Sequence, residues 1–294
     1  MSPSEQHLAT RSAAGLFDFS FMGLFEFSSE KALSRLQTRD LGAMAAGQIA
    51  YSLLLNADGS VFNDATVWQM GGERFWLWTG RRSDYSRFRD AARDRSGEFD
   101  VLALQGPKSG AILAGLFGRE IVSSLRYFRF IQRNTLLIAR LGYSGELGYE
   151  LIVPAADRHS LWQLLVRAGA AECGEDAMNS LRIEAGYVLF DREIDGAANP
   201  KELGLERLVS PKSAFPVRKK LAGLELHGGS MKEPLPEAVL TSECFSPTLG
   251  KSIGLGFVPP DAGGEARLAD GRGARIVPLP FYDPERRRPR GAPL

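Results

Sequence analysis

Two glycine-marked turns in close succession constrain this fold more than any other feature of the chain. Residues 51–55 and 61–68 are rich in strand-favouring types, and Asn56-Ala57-Asp58-Gly59 between them offers a glycine for a positive-φ turn position. Gly71-Gly72 then separates residues 67–70 from Phe75-Trp76-Leu77-Trp78. Strands joined by turns this short must pair antiparallel, because a parallel pair needs a long crossover. A three-strand meander is therefore predicted.

Further along, the pattern alternates. The charged stretch 81–95 predicts a solvated helix. Residues 101–104 read as a strand, and Gln105-Gly106-Pro107 turns it into a helix that places Ile112, Leu113 and Leu116 on one face and stops at Gly118. Strands are predicted at 135–139 and 151–153. Helices are predicted through Leu161, Leu164, Leu165 and Ala168, and again over 176–186 through Ala177, Leu181 and Ala185. No Gly-x-Gly-x-x-Gly accompanies this alternation, so small α+β layers fit better than a dinucleotide fold. Past Pro211 and Pro216, short strands divided by Gly and Pro run from 220–226 to 280–282 and predict a separate β barrel or sandwich. The arginine-rich tail 285–294 is expected to be exposed and loosely ordered.

Composition narrows the function classes. The 294 residues suggest two or three domains, and Lys+Arg 36 against Asp+Glu 35 leaves a net charge of +1, no field for gripping a nucleic acid. The longest apolar runs, such as 136–139, fall far short of a membrane span, and no leader opens the chain, so a cytoplasmic location is expected. Cys173 and Cys244 have no C-x-x-C spacing and no histidine cluster, so neither a disulfide framework nor a metal site is expected. His7, His159 and His227 leave few candidates for histidine catalysis.

Three side chains stand out chemically. Alternation puts Phe62, Asp64, Thr66 and Trp68 on one strand face, where an acid beside aromatic rings could accept a proton or hold an amine. The plainer alternative leaves Asp64 facing solvent near the hairpin. Glu150 follows the glycine-spaced segment 142–149, and its two oxygens match the paired N–H edge of a guanidine or aminopyrimidinone ring, on which Tyr143 and Tyr149 could stack. Equally, it could be a turn acid beside ordinary interfacial tyrosines. Arg182 could fork onto an anionic ligand tail or form a helix-surface salt bridge. The turn at Gln105-Gly106-Pro107-Lys108-Ser109 lacks Walker spacing and reads as structural.

Several segments together resemble the aminomethyltransferase family, which includes the T-protein of the glycine cleavage system. They are residues 7–11 (His-Leu-Ala-Thr-Arg) with 15–18, residues 59–64 ending in Asn63-Asp64, and residues 104–109. More specific are 140–150 (Arg-Leu-Gly-Tyr-Ser-Gly-Glu-Leu-Gly-Tyr-Glu), 181–187 (Leu-Arg-Ile-Glu-Ala-Gly-Tyr) and 245–253. They recur in family order over nearly the whole chain. The resemblance implies an α+β fold of three domains in a cloverleaf around a central folate channel: residues 1–22 with 100–215, residues 23–99, and a β-barrel-like domain at 216–294. It implies tetrahydrofolate as cofactor, converted to 5,10-methylenetetrahydrofolate. Asp64 would be the catalytic aspartate that orients folate and attends the developing positive charge, and Glu150 the glutamate on the pterin edge. Tyr51, Trp68, Tyr127 and Tyr143 would line the channel, with Arg182 a further contact.

The chain departs from the family pattern in places. Little precedes His7-Leu8-Ala9; Ser20-Phe21-Met22-Gly23 stands where the family has Ser-His-Met-Gly; and Asn63 replaces the first of two adjacent acids. The links before Val101 and after Val209 look shortened. The family resemblance implies a lipoyl carrier protein as partner, whereas these departures favour a specialised transferase working on another small-molecule amine or aminomethyl donor, or running in reverse. Two alternatives stay open: a demethylase of the same fold yielding 5-methyltetrahydrofolate, and a noncatalytic folate-binding protein.

Overall fold

The computed structural model describes residues 1–210, 213–227 and 235–294; Pro211, taken above as a composition boundary, lies outside the described residues. It is a mixed α+β structure with three sheets, the last of them a closed barrel.

The meander is present. Ile49–Leu55, Val61–Gly71 and Arg74–Thr79 pair antiparallel in succession, and Gly59, Gly71 and Gly72 take positive φ at the turns. The sequence reading missed two partners. Gly23–Phe27 adds to Arg74–Thr79, and the short Arg93–Asp94 completes a five-stranded sheet. That short strand displaces the helix expected over 81–95. Only Arg82–Asp84 and Tyr85–Phe88 are helical, because Phe88 turns inward onto Phe25 and Phe27, which a solvated helix would not allow.

A six-stranded sheet is assembled from distant segments. Gly15–Asp18 pairs with Phe99–Gln105, which pairs in turn with Gly148–Pro154, Leu136–Arg140 and Arg129–Arg133 lying beyond, while Ala171–Glu172 closes the other edge. The predicted strand at 151–153 thus starts three residues earlier and takes in Glu150. Its alternation divides the sheet. Tyr149, Leu151 and Val153 pack into one core under the helices Ser109–Phe117 and Arg158–Arg167, whereas Glu150 and Ile152 face the other way. Leu164, expected on the apolar face of the second of these helices, is exposed.

Glycines in the 142–148 segment are required by close packing. A Cβ at Gly142 or Gly148 would overlap the Oε1 of buried Gln105, which itself accepts the hydroxyl of Ser144 at 2.9 Å. The Gln105 turn is structural, as its lack of phosphate-loop spacing suggested.

Helix Glu175–Glu184 carries Glu175 and Asp176 in its first turn and Arg182 in its last, matching the helix dipole. Its buried face packs on helix Pro3–Ser12 and on barrel strand Glu237–Ser246. The barrel runs in the order Lys220–His227, Lys251–Val258, Glu237–Ser246, Glu265–Leu268, Gly273–Val277, and closes back on its first strand. Closure excludes the sandwich alternative, and residues 280–282 are not part of it. No helix among the described residues is long and apolar enough to cross a membrane.

The tail is not loose. Arg288 Nη1 reaches Glu146 Oε2 at 3.3 Å, Tyr282 donates to Glu146 Oε1 at 2.9 Å, and Arg140 donates to the Gly291 carbonyl. Pro289 is buried. A buried carboxylate in the 142–148 segment therefore anchors a tail that is mostly exposed, as expected, but tied down.

Candidate active site

Between the three sheets lies a cavity of about 1520 Å³, walled by Asp64 and Trp78 of the five-stranded sheet, Tyr143 and Glu150 of the six-stranded sheet side, and Leu221 of the barrel. Asp64 and Glu150 thus open into one space.

Glu150 is set by its strand. Its cross-strand neighbours are Ala103 and Ala139, whose small side chains leave the carboxylate uncovered. The residue is 8% exposed, and no hydrogen bond or ion pair engages its carboxylate among the described residues. Burial alone pushes its pKa up to about 7. An acceptor pair held on a rigid central strand, desolvated and unpartnered, is poised for a ligand that brings its own donors. The turn-acid alternative does not hold, since Glu150 sits within the strand.

Asp64 lies in the wall of the cavity rather than facing bulk solvent. Tyr51, on the neighbouring strand, donates its hydroxyl to Asp64 Oδ2 at 2.8 Å. Burial raises the Asp64 pKa to about 6, the Tyr51 hydrogen bond working against that rise. Burial and the Asp64 charge hold the Tyr51 hydroxyl well above its ordinary pKa, so it remains a donor. Asn63 points to the opposite face, as alternation requires. Its Oδ1 accepts the Asp64 amide at 2.9 Å and its Nδ2 donates to buried Asp84 at 2.6 Å. A carboxylate at position 63 would meet Asp84 as a like charge; the amide converts that contact into a hydrogen bond.

Among the expected aromatic residues, Tyr51, Tyr127 and Tyr143 line the cavity. Tyr143 donates to the Val188 carbonyl and stacks on Tyr187, with ring centroids 5.8 Å apart at 19°. Trp68 does not line it. It is 1% exposed, covered by Phe130 at 5.1 Å between centroids, and its Nε1 donates to Thr66. The cavity wall instead uses Trp78, which pairs across the sheet with Thr66 as Thr66 pairs with Tyr51. Residues directly opposite share a face, so Tyr51, Thr66 and Trp78 form one row. Tyr149, offered above as a stacking partner, lies on the far side of the sheet from Glu150 and is fully buried. Phe21, at the position where the resemblance expects histidine, is half exposed at the cavity edge.

Arg182 is neither a surface residue nor an uncommitted fork. At 1% exposed it donates to Asn179 Oδ1 (2.9 Å), the Tyr187 carbonyl (3.2 Å), Glu193 Oε2 (2.8 Å) and Ser242 Oγ (2.6 Å). It borders the cavity while tying helix, loop and barrel together. Arg182→Ala strands Glu193 as a buried charge and is expected to lower unfolding free energy in urea by about 3–5 kcal/mol. Arg182→Met combined with Glu193→Gln is expected to recover much of that loss. Equal losses for the single and double variants would contradict a paired role.

The sequence reading passed over Trp78, Tyr187 and the basic residues Arg39, Arg207, Arg286 and Arg290, all of which border the cavity. Tyr187 closes one of the segments carrying the resemblance, a signal that was available. The arginines had none: Arg207 sits in the single helical turn Glu206–Leu208 and the others in a loop or the tail, all without periodicity.

Comparison with known proteins agrees with this architecture. The family model described as "GCVT N-terminal domain" matches residues 2–213, and that described as "Glycine cleavage T-protein C-terminal barrel domain" matches residues 219–283. The chain is 36% identical to an aminomethyltransferase of Rubrobacter xylanophilus, across 97% of its own length and 88% of the relative's. It is 34% identical to an aminomethyltransferase of Symbiobacterium thermophilum, across 97% and 90%. The crystal structure of glycine cleavage system aminomethyltransferase T from Bartonella henselae aligns with a TM-score of 0.83 at 25% identity, covering 96% of this chain and 90% of that one.

Proposed function

This chain belongs to the glycine cleavage T-protein family, and we propose that its cavity holds tetrahydrofolate between Glu150 and Asp64 and passes a one-carbon unit between that carrier and a small-molecule amine. It is an aminomethyltransferase-like, folate-dependent one-carbon transferase, consistent with the 36% and 34% identities over nearly the full chain. Family members use tetrahydrofolate as the one-carbon acceptor. The reading for this chain rests on one observation above all: a buried carboxylate without a partner among the described residues, facing the same space as the Tyr51–Asp64 pair.

Those residues fit a reduced pterin. The edge of its aminopyrimidinone ring offers two parallel N–H donors, which complement the two oxygens of Glu150. Tyr143, with Tyr187 stacked behind it, and Tyr127 supply aromatic surface within the same cavity. When bound, tetrahydrofolate supplies the nitrogens that take up or release the carbon unit. Tyr51 fixes Asp64 through Oδ2, which leaves Oδ1 to face positive charge near the reacting amine or to carry a proton. With a pKa of about 6, Asp64 is largely ionised at neutral pH yet close enough to exchange a proton there. Enclosure by three sheets limits water and holds both reactants in one volume, which favours transfer over hydrolysis.

The direct test is to incubate tetrahydrofolate and formaldehyde or candidate amines with and without the purified protein, since formaldehyde condenses with tetrahydrofolate unaided, and to compare the rate of formation and the mass of the folate product. The expected product is 5,10-methylenetetrahydrofolate. Accumulation of 5-methyltetrahydrofolate would establish the demethylase alternative, and folate binding without turnover of any donor would establish the noncatalytic one.

A further inference from the structure

Two arginines, Arg39 and Arg207, border the cavity on segments that pack against the strand Ile49–Leu55. Neither has a carboxylate partner among the described residues. Their placement is built. Arg39 is clamped at its backbone by Gln37, whose Oε1 accepts the Arg39 amide at 2.6 Å and whose Nε2 donates to the Arg39 carbonyl at 2.7 Å. Buried Gln37 in turn accepts the hydroxyl of Ser52 on strand Ile49–Leu55 at 2.6 Å, and the Thr38 amide donates to Ser52 Oγ at 3.2 Å. The second segment is tied to the first, since the Ser210 amide donates to the Thr38 carbonyl at 2.8 Å and Arg39 Nη1 donates to the Arg207 carbonyl at 3.3 Å. Arg207 Nη1 makes one long contact, 3.5 Å, to the Gly204 carbonyl. The remaining guanidinium N–H groups of both residues have no protein partner among the described residues.

Position matters as much as charge. The turn Glu206–Leu208, which carries Arg207, packs on strand Ile49–Leu55, and Tyr51 of that strand donates to Asp64. A second basic pair, Arg286 and Arg290, also borders the cavity, with the Arg286 guanidinium 5.4 Å from the ring centre of Tyr187. A folate gripped through its pterin by Glu150 can direct its glutamate carboxylates to one of these pairs and leave the other open. Left open, the pair on the side of strand Ile49–Leu55, whose Tyr51 holds Asp64, is free to meet the second substrate. Asp64 is the complement of an amine, and two guanidinium groups are the complement of a carboxylate.

We propose that Arg39 and Arg207 form a carboxylate subsite, so that the amine exchanging the one-carbon unit is an amino acid held with its nitrogen toward Asp64 and its acid group on the arginine pair. In its N-hydroxymethyl form the C–N and C–O bonds of the donor carbon break as bonds to N5 and N10 of tetrahydrofolate form, and the two displaced N–H protons leave on the free amino acid and on water, so no oxidant is needed; N-methylglycine serves only as a binding analogue. The proposal rests on the folate reading above and assigns the substrate class that reading leaves open. A carboxylate could reach the pair from two sources, the amino acid or the glutamate tail of folate, and the experiment separates them.

Titration calorimetry on the full-length protein saturated with tetrahydrofolate would compare N-methylglycine and glycine with their amides, which keep the amine and lack the acid. The acids are expected to bind about tenfold more tightly than the amides, as for one or two charge-assisted hydrogen bonds at an exposed edge. Arg39→Gln with Arg207→Gln is expected to erase that preference while tetrahydrofolate mono- and pentaglutamate bind within about twofold of the parent protein. Both arginines reach the surface, so the variant is expected to fold, which its thermal unfolding verifies. Absence of any preference for acids across the panel in the parent protein overturns the subsite, and so does a loss confined to folate polyglutamate, which would give the pair to the folate tail. Failure of the parent protein to bind tetrahydrofolate at all would instead overturn the folate reading.

Discussion

Asp64→Asn is expected to lower turnover by on the order of 10³-fold while tetrahydrofolate affinity stays within about twofold, the signature of a group acting on the reacting atoms rather than on binding. The asparagine keeps an acceptor for Tyr51 and nearly the same volume, so the strand Val61–Gly71 has no reason to move. What it loses is charge. The pH profile adds a second reading: burial has raised the Asp64 pKa to about 6, so activity depending on the ionised form is expected to rise with pH through that value and then level off. Tyr51→Phe removes a hydrogen bond that favours ionisation, and the rising limb is expected to move to higher pH. A profile that stayed flat between pH 5 and 8 in every variant, or an Asp64→Asn protein of full activity, would remove Asp64 from the chemistry.

Glu150→Gln is expected to weaken tetrahydrofolate binding by about 10²–10³-fold, because the amide replaces one of two acceptors by a donor that meets an N–H of the ligand head on. The same change is expected to stabilise the ligand-free protein at pH 8. The sign follows from linkage: a carboxyl whose folded pKa of about 7 lies above its unfolded value takes up protons on folding. Its favourable contribution is therefore complete below the unfolded pKa and lost as pH rises through 7. Relieving that burial at pH 8 is worth on the order of 2 kcal/mol, readable in a urea titration. Folate affinity in the parent protein is expected to fall as pH drops below 7, since the ligand requires the ionised acceptor, and Glu150→Gln is expected to flatten that dependence. Unchanged affinity in the variant would refute the pterin contact; weaker binding together with lower stability at pH 8 would point to a structural role.

Much of this architecture was legible before any coordinates. The short Gly-bearing turns required an antiparallel meander, and the Gly and Pro punctuation past residue 216 signalled a β-rich end, though not whether it closed. Period-two alternation separated Asp64 from Asn63, and the structure places them on opposite faces. The same rule was applied too far along the strand. Trp68 shares the face of Asp64 but runs beneath Phe130 of another sheet, and the wall passes to Trp78 on the next strand. The helix expected over 81–95 and the looseness expected of the tail fail for one reason, although most of the tail is exposed as expected. Charge density describes most of a segment's side chains, whereas Phe88 and the Arg288–Glu146 contact decide where the backbone goes.

Turn type, strand face and the local order of elements follow from steric rules acting over a few residues, so they were written in the chain itself. Whether a face meets another sheet, bulk water or an enclosed void depends on segments far apart in sequence, and only packing settled it. Glu150 shows both halves: its strand direction was local, but its loneliness comes from Ala103 and Ala139, which sit beside it only once three strands have paired.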